Sequence, residues 1–208
     1  MKSAKEALSA LQEGNQRFVS GVRSLQTELS QLNRQDLVEA QHPFAVIIGC
    51  SDSRVPVEII FDQGVGDLFV IRVAGNIVAP SQIGSVEFAA EQFGTRLVVV
   101  LGHTHCGAVR ATLNHLQQPA KHSENIGSIV KRIRPAVEGI LAVDPQLSNE
   151  ALAQQAIRAN VRMSAQTLRQ GSEILEKLIQ HDGMLVVGAE YSLDTGKVDF
   201  FDGISVTG

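Results

Sequence analysis

The chain has only two cysteines, one tyrosine and no tryptophan in 208 residues. Two thiols leave no material for a disulfide-dense scaffold, and no third cysteine to close a structural metal site. No apolar stretch approaches the roughly 20 residues a membrane-spanning helix needs. Lys and Arg do not cluster and the formal net charge is −4, so no basic face points to a nucleic-acid partner. The opening residues, Met1-Lys2-Ser3-Ala4-Lys5-Glu6, carry neither the apolar region of a secretory signal nor the arginines of a transit sequence. A cytoplasmic protein with reduced cysteines, without membrane or nucleic-acid partners, is the expectation, and a Cys50–Cys106 disulfide is disfavoured with it. What is present, 44% hydrophobic and 19% charged residues, is an ordinary soluble composition with ample length for a core.

Two apolar runs, Phe44–Gly49 and Leu97–Gly102, are short, rich in β-branched residues and closed by glycine. They read as buried parallel strands rather than helices. Residues 67–72 and 184–188 read as two more strands. Residues 197–201 alternate polar and apolar after the turn Asp194-Thr195-Gly196, which predicts an antiparallel edge strand. Helices are expected between them: 3–19 capped by Ser3, 30–40, 55–61 with Pro56 in the first turn, 81–93 capped by Ser81, and one starting at Gly107. A further helix begins at Ser123-Glu124, where Pro135 should kink or interrupt it; others span 148–170 and 172–183, and residues 112–123 read as a polar loop. The alternation predicts an α/β fold with a mainly parallel central sheet flanked by helices, as one domain over 1–208 with a helical arm at 1–40. In the strand order 2-1-3-4-5 the first and third strands are neighbours, and ligands bind where the chain direction switches between them.

Those two strands are followed by Cys50-Ser51-Asp52-Ser53-Arg54 and by His103-Thr104-His105-Cys106. Two thiols and one imidazole suit zinc, and three protein ligands leave its fourth position open, as catalytic sites do. Two thiolates formally neutralise Zn²⁺, yet a bound water still falls in pKa from ~16 toward ~7–9. Asp52 is placed to take that water's proton or to orient the hydroxide. Bound to zinc instead, Asp52 would close the site, and Arg54 decides between the two states by pairing with the carboxylate. His42, His115, His122 and His181 fall where surface histidines are expected, and His105 should point away from its neighbour His103. Two readings of a different class stay open on these residues: a non-catalytic zinc module with Asp52 as permanent fourth ligand, and a nucleophilic cysteine enzyme using Cys106 and a histidine.

The pair Cys50-x-Asp52-x-Arg54 and His103-x-x-Cys106, with Asp67–Arg72 and Gly102–Gly107 around it, resembles the zinc motifs of β-class carbonic anhydrases. The likeness is strongest over residues 40–110 and extends more loosely over nearly the whole chain. It implies Zn²⁺ on Cys50, His103 and Cys106, with Asp52 and Arg54 as the catalytic pair. It implies reversible hydration of CO₂ to bicarbonate and a proton by zinc-bound hydroxide, in a homodimer or an assembly of dimers; CS₂ or COS hydrolysis at the same slot is the alternative. Carried over residue by residue, Gln41 would hydrogen-bond substrate, Phe69 and Phe88 would line the CO₂ pocket, and the Gly107 N–H would face the substrate. Phe88 stands where plant-like members commonly have Tyr, and Ala74 where they often have Val, so a hydroxyl is missing and the pocket is slightly wider. Members with an inhibitory bicarbonate site carry a tryptophan three residues before the first ligand. Here that position is Ile47, so although Arg72 and Tyr191 resemble that site's other partners, the resemblance implies the open, plant-like subgroup.

Overall fold

A computed structural model describes residues 2–25, 27, 36–118, 121–143 and 147–204. Five strands form one sheet in the order β2-β1-β3-β4-β5: β1 (Ala45–Gly49), β2 (Leu68–Arg72), β3 (Leu97–His103), β4 (Leu185–Tyr191) and β5 (Val198–Asp202). The first four pair in parallel, and β5 joins β4 antiparallel at the edge, as the sequence pattern predicts. Every residue of β1 and β3 is buried, as expected for central parallel strands covered by helices on both faces.

Helix α1 (Ala4–Ser20) lies on one face. Ser3 and Glu6 form a reciprocal capping box at its start, and Gly21 ends it in the left-handed conformation. Its Ala7, Leu8 and Leu11 pack over Ile47, Val99, Leu101 and Val187. Residues 30–40 are expected to be helical; the segment up to 35 lies outside the described residues, and α2 (Asp36–Glu39) is its remaining turn. The opposite face is covered by α4 (Pro80–Gln92), α7 (Asn149–Gln170) and α8 (Glu173–His181). Their Val86, Ala165, Leu168 and Leu175 enclose Val46, Ile48, Val98, Val100 and Val186. No described helix is long and apolar enough to cross a membrane.

Several boundaries differ from expectation. Pro56 is the N-cap of the short α3 (Val57–Ile60) and not part of its first turn. Helix α4 starts at Pro80, because a proline is preorganised for the first helical position, and this leaves Ser81 inside the helix and Ala79 as the cap. Residues 112–117 are not loop but the second half of α5 (Gly107–Gln117), held down by buried Val109, Thr112 and Leu113. Helix α6 (Glu124–Val143) runs on through Pro135, with Ile133 and Val137 fully buried on either side of it. Strands β3 and β4 extend past their predicted ends to His103 and Tyr191, which pair with each other in register. Past those ends, α5, α6 and α7 form a third apolar cluster of Val109, Leu113, Ile133, Val137, Leu152 and Ile157, with Cys50 and Cys106 inside it.

Candidate metal centre

Cys50 is the residue after β1, and Gly49 at the end of β1 pairs with Leu101 in β3. The parallel register therefore delivers Cys50 beside Gly102 and His103 at the sheet's carboxyl end. Alpha-carbon Gly102 has no room for a side chain: a Cβ there would lie 2.5 Å from Val161 Cγ2, so the glycine lets α7 close over the strand end. After His103 the chain makes a tight turn through His105, whose φ is 58°, and Cys106 then becomes the N-cap of α5. Each step is local, and together they bring one ligand atom each from Cys50, His103 and Cys106 within 4.8 Å of one another. All three residues are buried, both cysteines are free thiols, and among the described residues this is the cluster that could hold a metal ion.

The donor set fits zinc. Tetrahedral bonds of 2.0–2.3 Å put ligand atoms roughly 3.5–3.8 Å apart, inside the observed spread. His103 Nδ1 lies 2.9 Å from the Thr104 carbonyl oxygen. A carbonyl only accepts, so Nδ1 carries the proton and Nε2 keeps its lone pair. That Nε2 is buried without a hydrogen-bond partner, which is costly unless something takes the lone pair. The Cys50 sulfur accepts the backbone N–H of Gly75 at 3.3 Å. Its thiol is drawn down to about 4, chiefly by its hydrogen bond with Cys106 and further by His103 and by the Gly75 N–H. The same contact with Cys50, with burial next, pushes Cys106 up. The pair therefore holds one thiolate readily and a second only against a cation.

Asp52 stands at the rim. Arg54 grips both its oxygens, Nε to Oδ1 at 2.9 Å and Nη2 to Oδ2 at 2.7 Å, and the Arg54 backbone N–H adds a bond to Oδ1 at 3.0 Å. These bonds hold its carboxyl well below the usual carboxylate range, so Asp52 is an anion at any working pH. Its Oδ2 lies 3.8 Å from His103 Nε2, beside the ligand cluster but not hydrogen-bonded to it. Arg72, which the sequence marks only as like a partner of an inhibitory site, shapes this loop: last in β2, it donates from Nε to the Cys50 carbonyl at 3.0 Å and from Nη2 to the Asp52 carbonyl at 2.6 Å. Its guanidinium is thus committed to the ligand loop. The contact of Gly75 with Cys50 was also missed, although a glycine closing Val73-Ala74-Gly75 after a strand is a signal for a backbone turn.

The remaining expected site residues divide. Ala74 and Gly107 lie with the cluster: Ala74 opens the 3₁₀ turn Ala74–Asn76 that carries Gly75, and Gly107 follows Cys106 as the first residue of α5. Gln41, Phe69 and Phe88 are elsewhere on this chain. Gln41 is exposed and precedes β1, a strand of about 16 Å at the usual rise, whereas Cys50 follows its other end. Phe69 pairs with Val46 near the start of β1. Phe88, 51% exposed on α4, stacks with Phe69 at 6.2 Å and with Phe93 at 5.7 Å. His105 points away from the ligands toward Glu150 and Asp194, 3.6 Å from each.

Comparison with known proteins gives one consistent outcome. A family model described as carbonic anhydrase matches residues 45–198. A carbonic anhydrase of Mycolicibacterium smegmatis is 39% identical over 201 residues, covering 93% of this chain and 91% of that protein. Carbonic anhydrase 2 of Mycobacterium tuberculosis is 36% identical over 207 residues, covering 97% and 95%. Among solved structures, the β-carbonic anhydrase CafA of Aspergillus fumigatus superposes with a TM-score of 0.76 at 27% identity, covering 95% of this chain and 92% of that one.

Proposed function

The chain belongs to the β-carbonic anhydrase family, and from that premise we propose that it catalyses the reversible hydration of CO₂ to bicarbonate and a proton at zinc held by Cys50, His103 and Cys106. The observation that carries this reading is the ligand triad with the Asp52–Arg54 pair at its rim. Zinc bound there supplies a Lewis acid that lowers the pKa of a coordinated water toward neutrality.

The chain's own residues then have separable tasks. Arg54 occupies both oxygens of Asp52 and so keeps the carboxylate from serving as a fourth ligand. Asp52, still ionised, accepts a hydrogen bond at the rim and orients the attacking oxygen. The Gly107 N–H is one of the first-turn donors of α5 and forms part of the positive end of that helix's dipole, which suits the anion that develops on CO₂. Buried Ile77, Val109 and Leu113 keep the floor of the site dry.

A CO₂ slot needs apolar walls, and the aromatic residues expected to build it lie on a different part of the same protomer. An exposed Phe88 backed by Phe69 and Phe93 suits the surface of a homodimer, in which Gln41, Phe69 and Phe88 of one copy complete the site of the other. The cytoplasm, where thiol ligands stay reduced, is the fitting compartment.

Stopped-flow CO₂ hydration tests the proposal on the purified protein, on the same sample after metal stripping, and after zinc return. Activity lost on stripping and recovered with one zinc per chain is the expected result. A zinc-loaded protein that hydrates CO₂ no faster than buffer, or that turns over only COS or CS₂, overturns it.

A further inference from the structure

Asn160 sits in the middle of α7 and is 1% exposed. Its neighbours on that helix face, Ile157 and Val161, belong to the apolar clusters beneath it. The amide nitrogen donates to the Gly75 carbonyl at 2.8 Å. Only a nitrogen can face a carbonyl oxygen, so the orientation of this amide is fixed by its partner. The other amide atom, Oδ1, is buried with no partner among the described residues. An unpaired buried acceptor is costly, and an apolar side chain of the same heavy-atom count would avoid that cost. The asparagine is therefore explained by what its nitrogen holds and not by how well it packs.

It holds one side of a peptide unit whose residue also touches the metal ligands. Gly75 accepts from Asn160 through its carbonyl and donates through its N–H to the Cys50 sulfur. Its φ of +72° aims those two groups in different directions, and a Cβ there would lie 2.7 Å from Ile133 Cδ1 and 3.0 Å from Ala108 Cβ. The turn is thus wedged between α5 and α6 and tied to α7.

We propose that Asn160 is a positioning residue for the metal centre, acting through Gly75 to hold an N–H against the sulfur of Cys50. A hydrogen bond to a thiolate withdraws charge from the sulfur and fixes its direction. Outer-shell partners of this kind change metal affinity by roughly 10–100-fold. The inference rests on the metal reading given above, and its test separates the two.

The test replaces zinc by cobalt in the full-length protein and reads the sulfur-to-cobalt charge-transfer band, together with zinc affinity by competition against a chromophoric chelator. The parent protein is expected to show the band. In Asn160→Leu, which keeps the heavy-atom count and branching but removes the donor to the Gly75 carbonyl, zinc affinity falls about tenfold or more and the band moves to longer wavelength, whatever the change in melting temperature. Asn160→Ser, too small to overfill the site, gives the same shift if the leucine variant does not fold. Leu168→Ala, at the far end of the same helix, lowers the melting temperature and leaves the band unmoved. A folded Asn160 variant that binds zinc as tightly as the parent, with an unshifted band, overturns the proposal. A parent that takes up neither metal overturns the metal reading itself.

Discussion

Arg54 holds Asp52 by both oxygens, at 2.9 and 2.7 Å, from a position only two residues along the chain. A bidentate pair between such close neighbours is set by the loop's own backbone, which Arg72 pins through the Cys50 and Asp52 carbonyls. Arg54→Ala should therefore release the carboxylate without disturbing the loop. We expect zinc content near one per chain and a fall in kcat/KM of about 10²-fold, the range typical of a misplaced acid–base group. Metal analysis and stopped-flow assay on the same sample check both halves; parental activity in the variant would refute the role of the pair.

Cys106→Ser should abolish zinc retention. The hydroxyl of serine does not ionise at neutral pH, and two remaining ligands do not complete a zinc site. Circular dichroism is expected to stay near that of the parent, because Cys106 lies beyond the strands, at the N-cap of α5. A fully metallated variant would remove Cys106 from the ligand set.

Zinc binding should release about one proton per chain at pH 7 rather than two. Without metal, Cys50 is drawn down to about 4 by its bond with Cys106, while Cys106 is pushed up. At pH 7 the first is therefore already a thiolate and the second a thiol, so only one proton is left to displace. Titration calorimetry in buffers of different ionisation enthalpy reads the number directly.

Gly75→Ala should destabilise the fold. The substitution meets both a left-handed φ of +72° and a contact of 2.7 Å to Ile133 Cδ1, and overpacking of this kind costs about 1–3 kcal/mol. A lower melting temperature with weakened metal retention is the expected pairing.

Phe88→Glu addresses assembly. A charge on the exposed aromatic cluster with Phe69 and Phe93 should shift the protein toward monomer in analytical ultracentrifugation. Activity should fall with it, while zinc stays bound. A dimeric, fully active variant would count against a site completed by the second copy.

The ligands were readable in the sequence because Cys50 and His103 come at the ends of β-branched runs, with Cys106 three residues past His103, and β-strands are marked by local composition. Alternation of strands and helices implied an α/β sheet, and the common doubly wound order 2-1-3-4-5 brought Cys50 to His103 without knowledge of any distance. What sequence did not reveal depends on contacts far apart in the chain. Asn160 meets Gly75 across 85 residues, and Arg72 reaches Cys50 across 22; nothing in their local patterns marks these contacts. The location of Gln41, Phe69 and Phe88 was hidden for a related reason. A resemblance assigns residues to a pocket without saying which copy of the chain supplies them.

Glycine at position 102 has a consequence for how the centre survives loss of its ion. It allows α7 to press on the sheet where β3 ends, so the imidazole of His103 projects from a strand buried along its whole length. Buried along their whole length, β1 and β3 are expected to exchange their amides with global opening of the sheet. A metal bound there would meet a template that is already folded, so its exchange should be governed by access through the rim and not by refolding of the chain.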